Sequence, residues 1–187
     1  MTRRIIIGIT GASGVIYGIE TLRILKDLEF ETHLVLSEAA KINIPIETEY
    51  TAEKVEALAD RTYSNDNLAA PLASGSFLTE SMVVIPCTIK TLSGIANSYS
   101  NNLLIRTADV MLKEKRKLVL VVRETPLHIG HLKLMIRASE IGAHILPPIP
   151  SFYHKPKTIQ DIINQTIGKI FDYLNIQHTI YQRWEGL

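Results

Sequence analysis

Apolar, β-branched runs recur along the chain with little polar alternation inside them. They predict strands over 4–9, 32–36, 82–86, 118–122 and 143–146. Between them, apolar positions at helical spacing predict helices over 14–28, 37–46, 52–60, 88–97, 103–114, 128–141 and 158–174. Strands that are apolar throughout belong to parallel sheets covered on both faces. Strands alternating with helices predict right-handed crossovers, hence an α/β fold: a doubly wound parallel sheet with helices on both faces. Ligands of such sheets sit outside the carboxyl ends of the strands, so the strand ends are the place to look for chemistry.

The first strand end runs into Gly8-Ile9-Thr10-Gly11-Ala12-Ser13-Gly14 and then a helix. Glycine lets backbone approach a ligand closely, the first N–H groups of a helix lack partners, and the helix dipole favours an anion. The spacing is neither the G-x-G-x-x-G dinucleotide fingerprint nor a G-K-[ST] phosphate loop. The same residues would equally make a tight strand–helix turn. The second strand ends at Ser37, where an NAD enzyme places an acid, with Glu38 beside it. The third opens into Pro86-Cys87-Thr88-Ile89-Lys90-Thr91, the fourth into Arg123-Glu124-Thr125-Pro126, and the fifth into Pro147-Pro148-Ile149-Pro150 followed by Ser151-Phe152-Tyr153-His154. Residues 67–79 carry no charge and read as a packed loop, or one covered by another subunit. The tail over about 175–187, with Tyr181, Arg183 and Trp184, reads as docking on its own domain or a neighbour's.

Composition narrows the classes. The 187 residues suit a single domain with a full core. A net charge of +1 argues against a dedicated nucleic-acid binder, which is normally basic. One cysteine, Cys87, excludes an internal disulfide and fits a reducing cytoplasm. Cys87 reads as a small buried residue rather than a nucleophile. The chain enters a strand at once, so no secretory leader is expected, and no apolar run approaches the roughly 18 residues of a membrane span. An apolar content of 46% exceeds what a small α/β core needs and fits burial between subunits.

Four cations stand out by position. Arg106 and Lys113 lie seven apart on one predicted helix and share a face. Arg123 follows an apolar strand, where a buried charge would need a partner. With Lys169, Ser13 and Tyr153 these residues form a candidate phosphate clamp, although a helical Lys or Arg is more often simply solvated. Glu124 reads first as an ion-pair partner and Glu47 as a solvated loop acid, with proton transfer as the sharper alternative for each. His128 and His131 have i, i+3 spacing but no third ligand, so no metal site is expected. A G-x-S-x-G elbow is absent, which disfavours a serine hydrolase.

Taken together, these segments resemble the flavin prenyltransferases of the UbiX/Pad type. The matching segments are Gly8–Gly14 with Tyr17-Gly18, Ala73-Ser74-Gly75-Ser76, Pro86–Ser93, Arg106–Asp109 with Leu112-Lys113-Glu114, Arg123–Leu127, and Pro148–Pro156. They follow one another at family spacing along nearly the whole chain. The resemblance implies a flavodoxin/Rossmann-like fold, a homo-dodecamer with sites at subunit junctions, and no metal. It implies reduced FMN and dimethylallyl monophosphate as substrates. The product would be prenylated FMN, with a new ring between N5 and C6, used by partner decarboxylases of the UbiD type. Ubiquinone biosynthesis and aromatic-acid decarboxylation are the family's settings.

Carried over by residue, Gly11, Ala12 and Ser13 match the flavin-binding loop. Ser37, Thr88, Ile89, Lys90, Thr91 and Arg123 match further FMN contacts. Tyr153 and Lys169 match the pair that holds the allylic phosphate, with Arg106 and Lys113 adding positive charge. Ser13, Glu47 and Glu124 match groups at the reacting centre. Some relatives carry arginine at the position of Lys169, and some an aromatic at that of Leu68. The chemistry suits this layout: departing phosphate needs positive charge, the allylic cation must be kept from water, and a base (Glu47, Glu124 or the released phosphate) must take a proton after attack by C6. A cysteine decarboxylase of related architecture would need a histidine and a substrate-flap cysteine that are not evident. An electron-transfer flavin module would not need the second phosphate clamp.

Overall fold

The computed structural model describes residues 3–186, and its compact units divide between Pro147 and Pro148. The first unit holds a six-stranded, wholly parallel sheet. Its strands are β1 (Arg4–Ile9), β2 (Glu31–Leu36), β3 (Arg61–Tyr63), β4 (Ser81–Cys87), β5 (Lys117–Val122) and β6 (His144–Ile145), in the order β3-β2-β1-β4-β5-β6. This is the Rossmann order, in which the winding reverses between β1 and β4.

The helices of this unit are α1 (Val15–Asp27), α2 (Glu38–Glu47), α3 (Ala52–Glu56), α4 (Ile89–Ala96), α5 (Leu103–Lys113) and α6 (Ile129–Glu140), with a 3-10 turn at Pro71–Ala73. Successive strand residues face opposite sides of the sheet. Gly8 of β1 meets Leu104 of α5 on one side, and Ile9 meets Gly18 of α1 on the other. Ile6, Val84, Leu118 and Leu120 join Leu92, Ile95, Leu104, Ala108 and Met111 in one buried cluster. Both faces are therefore covered, which is why the strands are apolar throughout.

Two expectations are corrected. The predicted helix over 52–60 stops at Glu56, because Asp60 turns back to accept hydrogen bonds from the backbone N–H and hydroxyl of Thr32 in β2 (2.8 and 3.0 Å). Immediately after it, the edge strand β3 was not foreseen. Arg61-Thr62-Tyr63 has no apolar run, and its strand character comes from pairing with β2 and from the Tyr63 hydroxyl 2.9 Å from Nδ1 of buried His33. The uncharged stretch over 67–79 packs inward through Ala70 and Leu72, and the Arg116 guanidinium donates to the carbonyls of Gly75 and Phe77.

The second unit contains α7 (Ile159–Leu174) and the tail. Thr158 and Asp161 form a reciprocal capping box that starts the helix, and Asn175 in the left-handed region ends it.

Candidate functional site

Three strand ends converge at the reversal of the winding. Beyond β1, the Thr10 hydroxyl donates to the Pro86 carbonyl (2.7 Å) and accepts from the Thr88 N–H (2.9 Å), tying the first strand end to the third. Ser37 caps α2 by accepting from the Ala40 N–H, and Thr88 caps α4 by accepting from the Thr91 N–H. The Thr88 hydroxyl also donates to that of Thr91 (3.1 Å). These residues line a cleft of about 250 Å³ together with Gly11, Lys90, Glu38, Asn65 and Asn102. Two helix N-termini, each with a hydroxyl, thus open on one cleft, an arrangement that favours anionic and carbonyl-bearing ligands. Wider hollows of about 460 and 570 Å³ lie beyond Lys90, but strand-end hydroxyls line neither, so chemistry rather than volume selects the site.

The glycine loop closes one wall. A Cβ on Gly11 would stand 2.3 Å from that of Ala39, so glycine here lets α2 lie against the loop. Asn43 of α2 donates to the Gly11 carbonyl (2.8 Å) and fixes the contact. Ser13 is exposed and Ala12 half-buried at the loop's tip, outside the cleft lining.

Glu47 corrects its reading as a solvated loop acid. It is the last residue of α2, and its carboxylate accepts from the N–H groups of Gly14 and Val15 (2.7 and 3.2 Å). It occupies the anion position at the start of α1 that the sequence reading offered to a ligand.

Glu124 makes no ion pair among the described residues; it accepts from the Thr125 N–H in an exposed loop (3.0 Å). Arg123 is also exposed, so the expectation that it needs a partner lapses; its backbone N–H donates to the Cys87 carbonyl (3.1 Å). Burial pushes the Cys87 thiol far up, which removes it as a nucleophile. His128 caps α6 and stacks on His131, and no group of three or more potential metal ligands converges among the described residues.

On α5, Arg106 donates to Asp109 (3.0 Å) and to the Ala73 carbonyl (3.2 Å), and Lys113 pairs with Glu114 against Gly75. Both cations border the segment 73–75, each already balanced by one carboxylate. In the second unit, Tyr153 lies edge-on to His154 and Trp184, and the Lys169 ammonium is 3.9 Å from Asp172.

A chain with these strand ends has close relatives. The flavoprotein family model matches residues 1–185. Flavin prenyltransferase UbiX of Salmonella typhimurium is 54% identical over 187 residues, covering 98% of this chain and 99% of its own. The chain belongs to the UbiX family of flavin prenyltransferases. Among solved structures, AnUbiX (PadA1) in complex with FMN and dimethylallyl pyrophosphate aligns over the whole of both chains, with a TM-score of 0.98 at 45% identity. A dodecameric FMN-dependent UbiX-like decarboxylase from Escherichia coli O157:H7 aligns over 98% of this chain and all of its own, with a TM-score of 0.96 at 44% identity.

For a flavoprotein of this family, sequence reasoning missed several cleft residues. Thr10 lay inside the quoted glycine loop and could have been read as a donor. Asn102 could have been found as the cap of α5, being an Asn just before an apolar helical run. Asn65 carries no local signal: its backbone and side-chain oxygens accept from the N–H groups of Leu103 and Leu104, far along the chain (39 residues for Leu104).

Proposed function

We propose that this protein joins the dimethylallyl group of dimethylallyl monophosphate to N5 and C6 of reduced FMN, and that the prenylated FMN so formed serves a UbiD-type decarboxylase. The observation that carries the proposal is the full-length likeness to a relative in complex with FMN and dimethylallyl pyrophosphate. The strand-end cleft supports it, because its hydroxyls, helix N-termini and Lys90 are suited to the polar atoms of a flavin. About 250 Å³ is less than the roughly 300–1,000 Å³ of pockets that enclose a whole drug-sized ligand, so one chain would surround only part of a flavin. A homo-oligomer, a dodecamer as in the E. coli relative, would supply the rest.

FMN supplies the nucleophilic atoms, and the protein's task is to hold and orient the partners. Gly11, Ala12, Ser13, Ser37, Thr88, Ile89, Lys90, Thr91 and Arg123 are the proposed flavin contacts. Arg106, Lys113, Tyr153 and Lys169 are the proposed phosphate ligands, Ser13 adding a donor, so that positive charge meets the departing group. Glu47 and Glu124 are the candidates to accept the proton. No step is assigned to a metal. We treat the 187 residues as one functional domain working in the cytoplasm; among the described residues no helix is long and apolar enough to cross a membrane.

The test is anaerobic incubation with reduced FMN and dimethylallyl monophosphate, the diphosphate run in parallel, and mass spectrometry of the released flavin. A flavin heavier by one five-carbon unit is expected. Unmodified flavin from both donors, with FMN bound, would overturn the proposal.

A further inference from the structure

Asp172 of α7 accepts hydrogen bonds from three side chains of the tail. Its Oδ1 accepts from His178 Nε2 (3.0 Å) and Arg183 (2.6 Å), and its Oδ2 accepts from the Tyr181 hydroxyl (2.7 Å). His178 Nε2 also faces the Gly168 carbonyl at 3.0 Å, so the proton sits on that nitrogen and the ring bridges both acceptors. The Tyr181 ring lies where a Cβ on Gly168 would stand, 2.2 Å away, so the tail is seated in a notch that only glycine leaves open.

Lys169 is one turn from Asp172, a spacing at which Lys and Asp ordinarily pair. Yet this pair closes only to 3.9 Å and the lysine side chain is half exposed, while three shorter bonds from the tail reach the same carboxylate. The tail therefore competes with Lys169 for the same anion and approaches it more closely, its Tyr181 and His178 rings seated at the Gly168 notch.

We infer that the tail is a positioning element for Lys169: by donating to Asp172 at hydrogen-bond distance, Tyr181 and Arg183 hold the Lys169 ion pair to a loose 3.9 Å contact and leave the ammonium available to an anionic group. This rests on the proposed role of Lys169 toward the allylic phosphate. Neither Tyr181 nor Arg183 need touch the substrate; each acts through Asp172.

The experiment compares KM for dimethylallyl monophosphate, kcat and FMN affinity in Lys169→Ala, Arg183→Met, Tyr181→Phe and Arg183→Met/Asp172→Asn. Lys169→Ala should raise KM. Arg183→Met should raise it roughly two- to five-fold, the span of an exposed ion pair, as the loose Lys169–Asp172 contact tightens, with FMN affinity unchanged. Adding Asp172→Asn should bring KM back toward the parent value, since no carboxylate is left to capture the lysine. A merely structural tail would not be rescued by a second lesion in it. Tyr181→Phe, which removes one hydroxyl and keeps the ring in its notch, should shift KM in the same direction and guards against a misfolded Arg183 variant. A KM rise in Arg183→Met that Asp172→Asn leaves in place would overturn the inference while the role of Lys169 stands. No change in Lys169→Ala would remove the role of Lys169 and the inference with it.

Discussion

Glu47 shows how one side chain can serve both fold and chemistry. Its carboxylate satisfies the two N–H groups that open α1, and it does so from the end of α2, so it also joins the two helices. Glu47→Gln keeps the shape but loses the charge that the helix dipole favours, at a cost of about 1 kcal/mol in stability. We expect that variant to bind FMN and to form prenylated product at least tenfold more slowly in a single-turnover assay. Parent-like product formation would take Glu47 out of the proton-transfer role. Gly11 is a sharper case, because a Cβ there meets the Cβ of Ala39 at 2.3 Å and its carbonyl carbon at 3.0 Å. Gly11→Ala should push α2 off the loop and weaken FMN binding by tenfold or more in a fluorescence titration, whereas Gly14→Ala, strained at φ 99° and tight only against the Tyr17 side chain (3.1 Å), should mainly lower Tm.

At the scale of elements, the cleft is built from caps. Thr88 and Ser37 start α4 and α2 at strand ends, so the hydroxyls that hold the helices also face the cleft. Thr88→Ala should cost about 1 kcal/mol by chemical denaturation, and Thr88→Ser should recover most of it. The tail on α7 makes a prediction about pH. Burial pushes the Asp172 carboxyl up, but the bonds from Arg183, Tyr181 and His178 outweigh it and hold the group at about 2. A folded-state value below the ordinary 3.8 means that its stabilisation is fully present above about pH 4 and is lost as the pH falls toward 2. The Tm difference between the parent and Asp172→Asn should accordingly shrink between pH 4 and pH 2. A difference constant across that interval would mean that the ionised carboxylate does not hold the tail.

The molecule as a whole carries apolar side chains that its own chain leaves uncovered. Ile129, Leu132 and Ile136 form one stripe along α6, a helix whose only buried residue is Ala138, and Ile42 and Ile46 stand out from α2. A stripe of this kind is what a subunit interface covers, in keeping with the proposed oligomer. Ile136→Glu should shift the species seen by light scattering to a smaller one and weaken FMN binding with it; an unchanged assembly would exclude this face from the interface.

Much of this was legible in the residues themselves. Continuous apolar runs separated by helical patterns require a parallel sheet covered on both faces, and Ser, Thr and Gly at the strand ends mark where a ligand belongs, because both signals are local. The family motifs carried the reading from fold to chemistry. Tertiary structure decided the rest. Edge strand β3 exists only through its pairing with β2, so no apolar run announced it. Asn65 reaches the cleft from a loop distant in sequence, and Glu47 finds its partners 32 and 33 residues earlier. Asp172 gains its partners only where Tyr181 and Arg183 fold back onto α7. The sequence alone determined most of the elements and at which ends the chemistry gathers; only the folded chain decided the edge strand β3 and which charges face one another, since a hydrogen bond depends on distances in space that spacing along the chain does not contain.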